Sequence, residues 1–99
     1  MKAKVIAVDL DGVLCEGKYW VGDGKKIKPI KENIKKVNKL YLTNFIVIWT
    51  ARRYCQAENT MNWLRENGVH YHAIHFEKMA ADIYCDDKAI NSKNLKSFI

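Results

Sequence analysis

The chain has 99 residues, 17 of them Lys or Arg and 11 Asp or Glu, for a formal charge of +6. A 48% hydrophobic and 11% aromatic composition can build a core and excludes an intrinsically disordered chain, and the length fits one domain over 1–99. The longest apolar runs, Val5–Val8 and Phe45–Trp49, fall far short of the ~20 residues that span a bilayer, and the first is too short for a signal peptide.

Three cysteines, Cys15, Cys55 and Cys85, form an odd and scattered set without metal-site spacing, so reduced thiols and a cytoplasmic location are expected. The positive charge is concentrated. Eight lysines between Lys18 and Lys39 stand against Asp23 and Glu32, a local +6 that equals the charge of the whole chain. Such a segment can steer an anionic substrate or touch nucleic acid. It is also what a solvated helix face looks like, and no arginine cluster or aromatic interleaving accompanies it, so nucleic acid is not the favoured partner.

In chain order, Lys4–Val8 is a β-branched apolar run ending in acidic residues, the pattern of a strand buried on both faces. Residues 12–29 hold four of the five glycines and the only proline, and form an irregular excursion with a hairpin around Gly22-Asp23-Gly24. From Ile30 the apolar residues recur at helical spacing through Ile34, Val37 and Leu40. Phe45–Trp49 is a second strand and stops at Thr50. Ala57, Met61 and Leu64 mark the core stripe of a second helix, which Gly68 ends in a left-handed conformation. Tyr71–Phe76 reads as a third strand and Ile83–Cys85 as a fourth, running into Asp86-Asp87. The tail 91–99 reads as a helical turn or coil. Strands alternating with helices imply an α/β fold with a parallel sheet.

In a parallel sheet, ligands bind beyond the C-terminal ends of the strands. Three of the four expected strands end there in reactive side chains: Asp9 and Asp11, then Thr50, then Asp86 and Asp87. If a crossover sets the fourth strand beside the first, the carboxylates converge. Two of them ~5 Å apart repel by roughly 3 kcal/mol at an effective dielectric of about 20, so the cluster either shares a proton or holds a hard cation. Few carboxylates with open positions suit Mg²⁺, which also takes phosphate oxygens. An aspartate in that setting can be phosphorylated, with a hydroxyl such as Thr50 and an ammonium such as Lys78 facing the transferring group.

These residues carry a family resemblance. Asp9-Leu10-Asp11-Gly12-Val13-Leu14 resembles the DxDG(T/V)L signature of the haloacid-dehalogenase-like superfamily, and Thr50-Ala51-Arg52 its second motif. The run from Lys78 through Asp82, Tyr84, Asp86-Asp87 and Lys88 to Ile90 resembles the K-P-x-A-D-x-Y-I-D-D-(R/K)-A-I segment of small members described as capsule- or polysaccharide-biosynthesis phosphatases. Met79 departs from the usual proline and loosens the turn after Lys78.

The resemblance implies a minimal Rossmannoid sheet of about four strands in the order 4-1-2-3. It makes Asp9 the nucleophile and a Mg²⁺ ligand. Asp11 becomes the acid and base, binding the metal through its backbone carbonyl. Thr50, Ala51, Arg52 and Lys78 become phosphate contacts, Asp86 the remaining metal ligand, and Asp87 its support. The spacings between motifs leave no room for a cap domain, so the site is open and permits a bulky phosphorylated molecule, whether a sugar phosphate, a nucleotide or a nucleic-acid end. Among these the resemblance favours a small phosphorylated metabolite such as a sugar phosphate of surface-polysaccharide synthesis, with no membrane partner and with homo-oligomers permitted. Two alternatives are a nucleotide or polynucleotide-end phosphatase and a non-catalytic phosphate-binding module on the same fold. Arg53 is a further candidate contact. His70, His72 and His75 show no pattern that would make them ligands, Cys15 and Cys55 have no use in the mechanism, and Trp49 and Trp63 read as packing residues, whereas Trp20 could cover substrate.

Overall fold

β-branched and aromatic runs form the strands, and residues with period 3.6 form the helices between them. The computed structural model describes residues 2–16 and 27–98, with side chains through residue 95. Within them the order is β1 (Val5–Val8), α1 (Lys31–Tyr41), β2 (Phe45–Trp49), α2 (Ala57–Glu66) and β3 (Ala73–His75), with 3-10 turns at Tyr54–Gln56 and Ser92–Phe98. The hairpin expected around Gly22-Asp23-Gly24, and Trp20 with it, lie outside the described residues.

The sheet is parallel with β2 in the middle. Val5 pairs with Phe45 and Val8 with Ile48, while Val47 pairs with Ala73 and Trp49 with His75. Right-handed crossovers that always step in one direction lay α1 and α2 on the same face of such a sheet. Burial follows that geometry. Ile46 and Ile48 are wholly buried and Val8 nearly so, against Ile34, Val37 and Leu40 of α1, Trp63 and Leu64 of α2, and Leu95 of the tail. On the opposite face Val5, Phe45 and Trp49 are exposed. The expectation of a first strand buried on both faces is therefore corrected: β1 is buried on one.

Two further differences from the sequence reading have physical causes. The core stripe of α2 is Thr60, Trp63 and Leu64, whereas Met61 is exposed. The helix is turned by one position so that the large indole fills the core and donates its N–H to the Ile27 carbonyl at 3.0 Å. The expected fourth strand is not formed among the described residues. Ile83–Cys85 runs as irregular chain with Ile83 84% exposed, and Tyr84 ties itself to its own loop rather than to β1. Among the described residues one edge of β1 is thereby left without a partner strand.

The helix ends agree with the sequence reading. Gly68 takes φ +67°, which closes α2 as the Val69 N–H reaches the Leu64 carbonyl. The feet of the excursion are pinned together by Glu16 N–H to the Lys28 carbonyl and Ile30 N–H to the Leu14 carbonyl. No helix of the described residues is long and apolar enough to cross a membrane.

Candidate active site

The site is built at the C-terminal edge of the sheet, starting from the turn after β1. Leu10 and Leu14 are wholly buried and act as plugs, while Asp9 and Asp11 on either side of Leu10 stay partly exposed. The turn tightens as Leu14 N–H and Cys15 N–H converge on the Leu10 carbonyl and Gly12 N–H meets the Cys15 carbonyl, with Gly12 at φ +86°. A residue with a Cβ is strained at that angle, so the glycine of the motif has a backbone reason. Leu10 N–H donates to Asp9 Oδ1 at 2.7 Å, leaving Oδ2 turned toward Lys78.

Thr50 follows the last residue of β2 and is wholly buried. Its backbone N–H reaches the His75 carbonyl, its carbonyl receives the Lys78 N–H, and its Oγ1 accepts the Arg52 N–H at 3.1 Å. Thr50 thus stitches β2 to the chain leaving β3, while its hydroxyl keeps one hydrogen to donate. Ala51 is exposed at the rim, and so is Arg53, whose N–H donates to Gln56 Oε1 to start the 3-10 turn.

Arg52 is placed quite differently from an exposed phosphate contact. It is 5% exposed and points inward. Its Nε and Nη2 donate to the two oxygens of Asp11 at 3.0 and 2.8 Å, and its Nη1 donates to Thr60 Oγ1 at 3.1 Å. This is a bidentate fork on a carboxylate, the strongest geometry open to the pair. The Cys15 thiol completes the group, donating to Asp11 Oδ1 at 3.4 Å. Burial first, then the negative charge of Asp11 and the hydrogen bond to it, push the Cys15 thiol up to about 12. It is therefore a neutral donor and no nucleophile.

Lys78 leaves β3 through Glu77, a non-glycine residue at φ +62°, a conformation that costs on the order of 1 kcal/mol and clusters at functional sites. Glu77 N–H bonds the Arg52 carbonyl and Glu77 Oε2 receives the Tyr54 N–H, which holds the turn. The Lys78 ammonium lies 3.5 Å from Asp9 Oδ2, 4.9 Å from the Trp49 ring centroid and 4.6 Å from that of Tyr84. The looseness expected from Met79 is met by Tyr84, whose hydroxyl donates to the Met79 carbonyl at 2.6 Å and accepts the Ala81 N–H.

The structure thus brings Asp9, Asp11, Thr50, Arg52 and Lys78 to one edge. Asp86 and Asp87 do not group with Asp9 and Asp11 closely enough to hold a metal ion. Both are exposed, and Asp86 Oδ1 accepts the Lys88 N–H in a local turn. Among the described residues no group of three or more His, Cys, Asp and Glu side chains is close enough to hold a metal ion. In donor chemistry Asp9, Asp11 and Asp86 suit a hard cation, but in this arrangement they form no such group. His72 is engaged elsewhere, stacked between Tyr41 and Phe45 with Nδ1 accepting the Ile46 N–H.

Sequence reasoning missed Trp49, Tyr84, Cys15 and Thr60. The available signals were a tryptophan directly before Thr50, a tyrosine six positions after Lys78, and a threonine on the apolar side of α2.

The sequence matches no protein-family model and no curated protein. A solved structure of a structural-genomics target from Vibrio cholerae is similar: it is 27% identical, with 95% of this chain and 88% of that one covered at a TM-score of 0.75. The two chains share a fold over nearly their whole lengths, and the description of that structure names no activity.

Proposed function

We propose that this chain is a phosphomonoester hydrolase of the haloacid-dehalogenase-like type, working through a phosphorylated Asp9. The observation that carries the reading is the Asp9 carboxylate facing the Lys78 ammonium at 3.5 Å beyond the C-terminal edge of a parallel sheet, with Asp11 two residues on. The order and spacing of the sequence motifs support it further.

In the first step an Asp9 oxygen bonds to phosphorus as the phosphorus–ester oxygen bond breaks. The departing oxygen takes a proton from Asp11, and the alcohol leaves. In the second step Asp11, now a carboxylate, removes a proton from water as the water oxygen bonds to phosphorus. The phosphorus–Asp9 bond breaks, giving inorganic phosphate and the original Asp9 carboxylate. Lys78 neutralises the phosphoryl oxygens in both steps, and the Thr50 hydroxyl hydrogen is the donor it has left to offer.

Arg52 sets the posture of Asp11. Both Asp11 oxygens accept guanidinium N–H bonds in the pose seen, which suits the base of the second step. To donate in the first step Asp11 must swing off Arg52 carrying a proton. Esters whose leaving oxygen departs with little help, such as aryl phosphates, should therefore turn over faster than alkyl phosphates.

Mg²⁺ is the cofactor this donor set suits. Asp9, the Asp11 carbonyl and Asp86 would hold it, with Asp87 in support, and when bound it supplies positive charge at the phosphoryl oxygens. Asp86 reaches the edge if Ile83–Cys85 pairs with the open side of β1, which gives the order 4-1-2-3. The substrate we favour is a small phosphorylated metabolite of the cytoplasm, such as a sugar phosphate used in surface-polysaccharide synthesis. A polynucleotide end is the alternative that the exposed lysines of α1 would serve, and activity falling steeply with salt would reveal it.

The test is a panel of phosphate esters assayed with and without Mg²⁺, beside an acid-quenched digest searched for phosphate on the Asp9 peptide. We expect Mg²⁺-dependent release of phosphate and a phosphopeptide, both lost in Asp9→Asn. Turnover by Asp9→Asn near the wild-type level would overturn the assignment.

A further inference from the structure

The geometry points to Trp49 and Tyr84 as positioning residues that clamp the Lys78 ammonium against Asp9. The inference rests on the reading of Asp9 and Lys78 as the phosphoryl-transfer pair, and it goes beyond that reading by assigning the groups that aim the lysine.

A lysine on a four-carbon stem loses up to ~2 kcal/mol of rotamer freedom when fixed. A single ion pair does little to offset that when one partner is open to water, and the Asp9 side chain is 41% exposed. At 3.5 Å the pair is also longer than a good hydrogen bond. Yet the Lys78 side chain is only 12% exposed. Two aromatic rings lie against its ammonium. The Trp49 and Tyr84 centroids lie 4.9 and 4.6 Å from Nζ, both inside the ~6 Å range in which a ring face attracts a cation.

The two rings come from unrelated parts of the chain. Trp49 is the last residue of β2, on the uncovered face of the sheet, and is 41% exposed. Tyr84 belongs to the irregular segment after Lys78 and is 50% exposed. Its ring is fixed by the hydroxyl, which donates to the Met79 carbonyl and accepts the Ala81 N–H, so residues 79–84 close into a loop that presents the ring to the lysine. Two large aromatics left half in water have a reason to be there if they hold a charge at the mouth of the site. Among the described residues the ammonium pairs with no second carboxylate, so its charge is directed at the Asp9 oxygen and at whatever phosphoryl group arrives there.

Loss of one ring should release the lysine without removing it. Trp49→Leu and Tyr84→Leu are each expected to lower kcat about tenfold, with KM moved less than about threefold. Tyr84→Phe, which keeps the ring but loses the two hydrogen bonds that aim it, should fall between Tyr84→Leu and the wild-type protein. A readout independent of turnover is the NMR signal of the Lys78 ε-methylene, assigned by its disappearance in Lys78→Arg. Ring currents should shift it away from the other lysines in the wild-type protein and return it toward them in each Leu variant. A wild-type Lys78 signal lying with the other lysines, or both Leu variants turning over at the wild-type rate, would overturn the clamp. Asp9→Asn separates the two readings: if it retains turnover the phosphatase assignment fails, while the ring-current result still decides the clamp.

Discussion

Asp11, Arg52 and Cys15 form a group in which each member sets the state of the others. The guanidinium holds the carboxylate by both oxygens, and the thiol donates to one of them from a site with no solvent exposure. Two outcomes follow for Cys15. With a thiol reagent, exposed Cys55 and Cys85 should react at once and Cys15 only on unfolding. Its pH dependence has a definite sign. The folded value, about 12, lies above the ordinary thiol value of 9.0 that the unfolded chain recovers. The contribution is therefore complete below pH 9.0 and is lost as pH rises toward 12. The stability gap between the wild-type protein and Cys15→Ala, measured by urea unfolding, should narrow above pH 9.0 by up to about 1.4 kcal/mol per pH unit. A gap constant across that range would mean that the thiol ionises alike in both states. The carboxylate of this group was legible in the sequence because an extended run ending in Asp-x-Asp-Gly leaves few other placements. The inward turn of Arg52 was not. An arginine two positions past a strand end reads as a surface cation, and its burial depends on Thr60, a contact that only the packing of α2 creates.

Among the elements, β1, β2 and α1 were readable because their apolar residues repeat over several positions, and a repeat survives small errors of phase. α2 shows the limit. Ala57, Met61 and Leu64 fit helical spacing as well as Thr60, Trp63 and Leu64 do, and the choice is made by the volume of the indole and its N–H bond to Ile27. The helix was legible and its rotation was not. The two phases differ in a measurable way. Leu64 belongs to both stripes and is wholly buried, so Leu64→Ala should cost about 2–5 kcal/mol. Met61 is 44% exposed, and Met61→Ala should stay within about 0.5 kcal/mol of the wild-type protein. Comparable losses at both positions in chemical denaturation would restore the Met61 stripe. The third strand survived in a shortened form, Ala73–His75 in place of Tyr71–Phe76, because the His72 ring both accepts the Ile46 N–H and stacks between Tyr41 and Phe45.

For the molecule as a whole, the open edge of β1 and the exposed segment carrying Asp86 belong to one problem. An unpaired strand edge is a template for another strand, and Ile83–Cys85 has the short β-branched and aromatic character to supply it. What opposes docking is charge: Asp86 and Asp87 would be carried toward Asp9 and Asp11, at roughly 3 kcal/mol for each close pair of carboxylates. A divalent cation reverses the sign of that term, so the fourth strand and the metal should arrive together. Hydrogen exchange tests the coupling directly. Addition of Mg²⁺ should slow exchange at Ile83–Cys85 and at the outward amides of β1, and should raise Tm with Mg²⁺ concentration as expected for a ligand bound by the folded state alone. Asp86→Asn should abolish both gains, while its metal-free stability stays within about 0.5 kcal/mol of the wild-type value, because the side chain is exposed in this arrangement. Exchange at β1 that ignores Mg²⁺, with Tm unchanged, would show that the edge stays open and that Asp86 is no ligand.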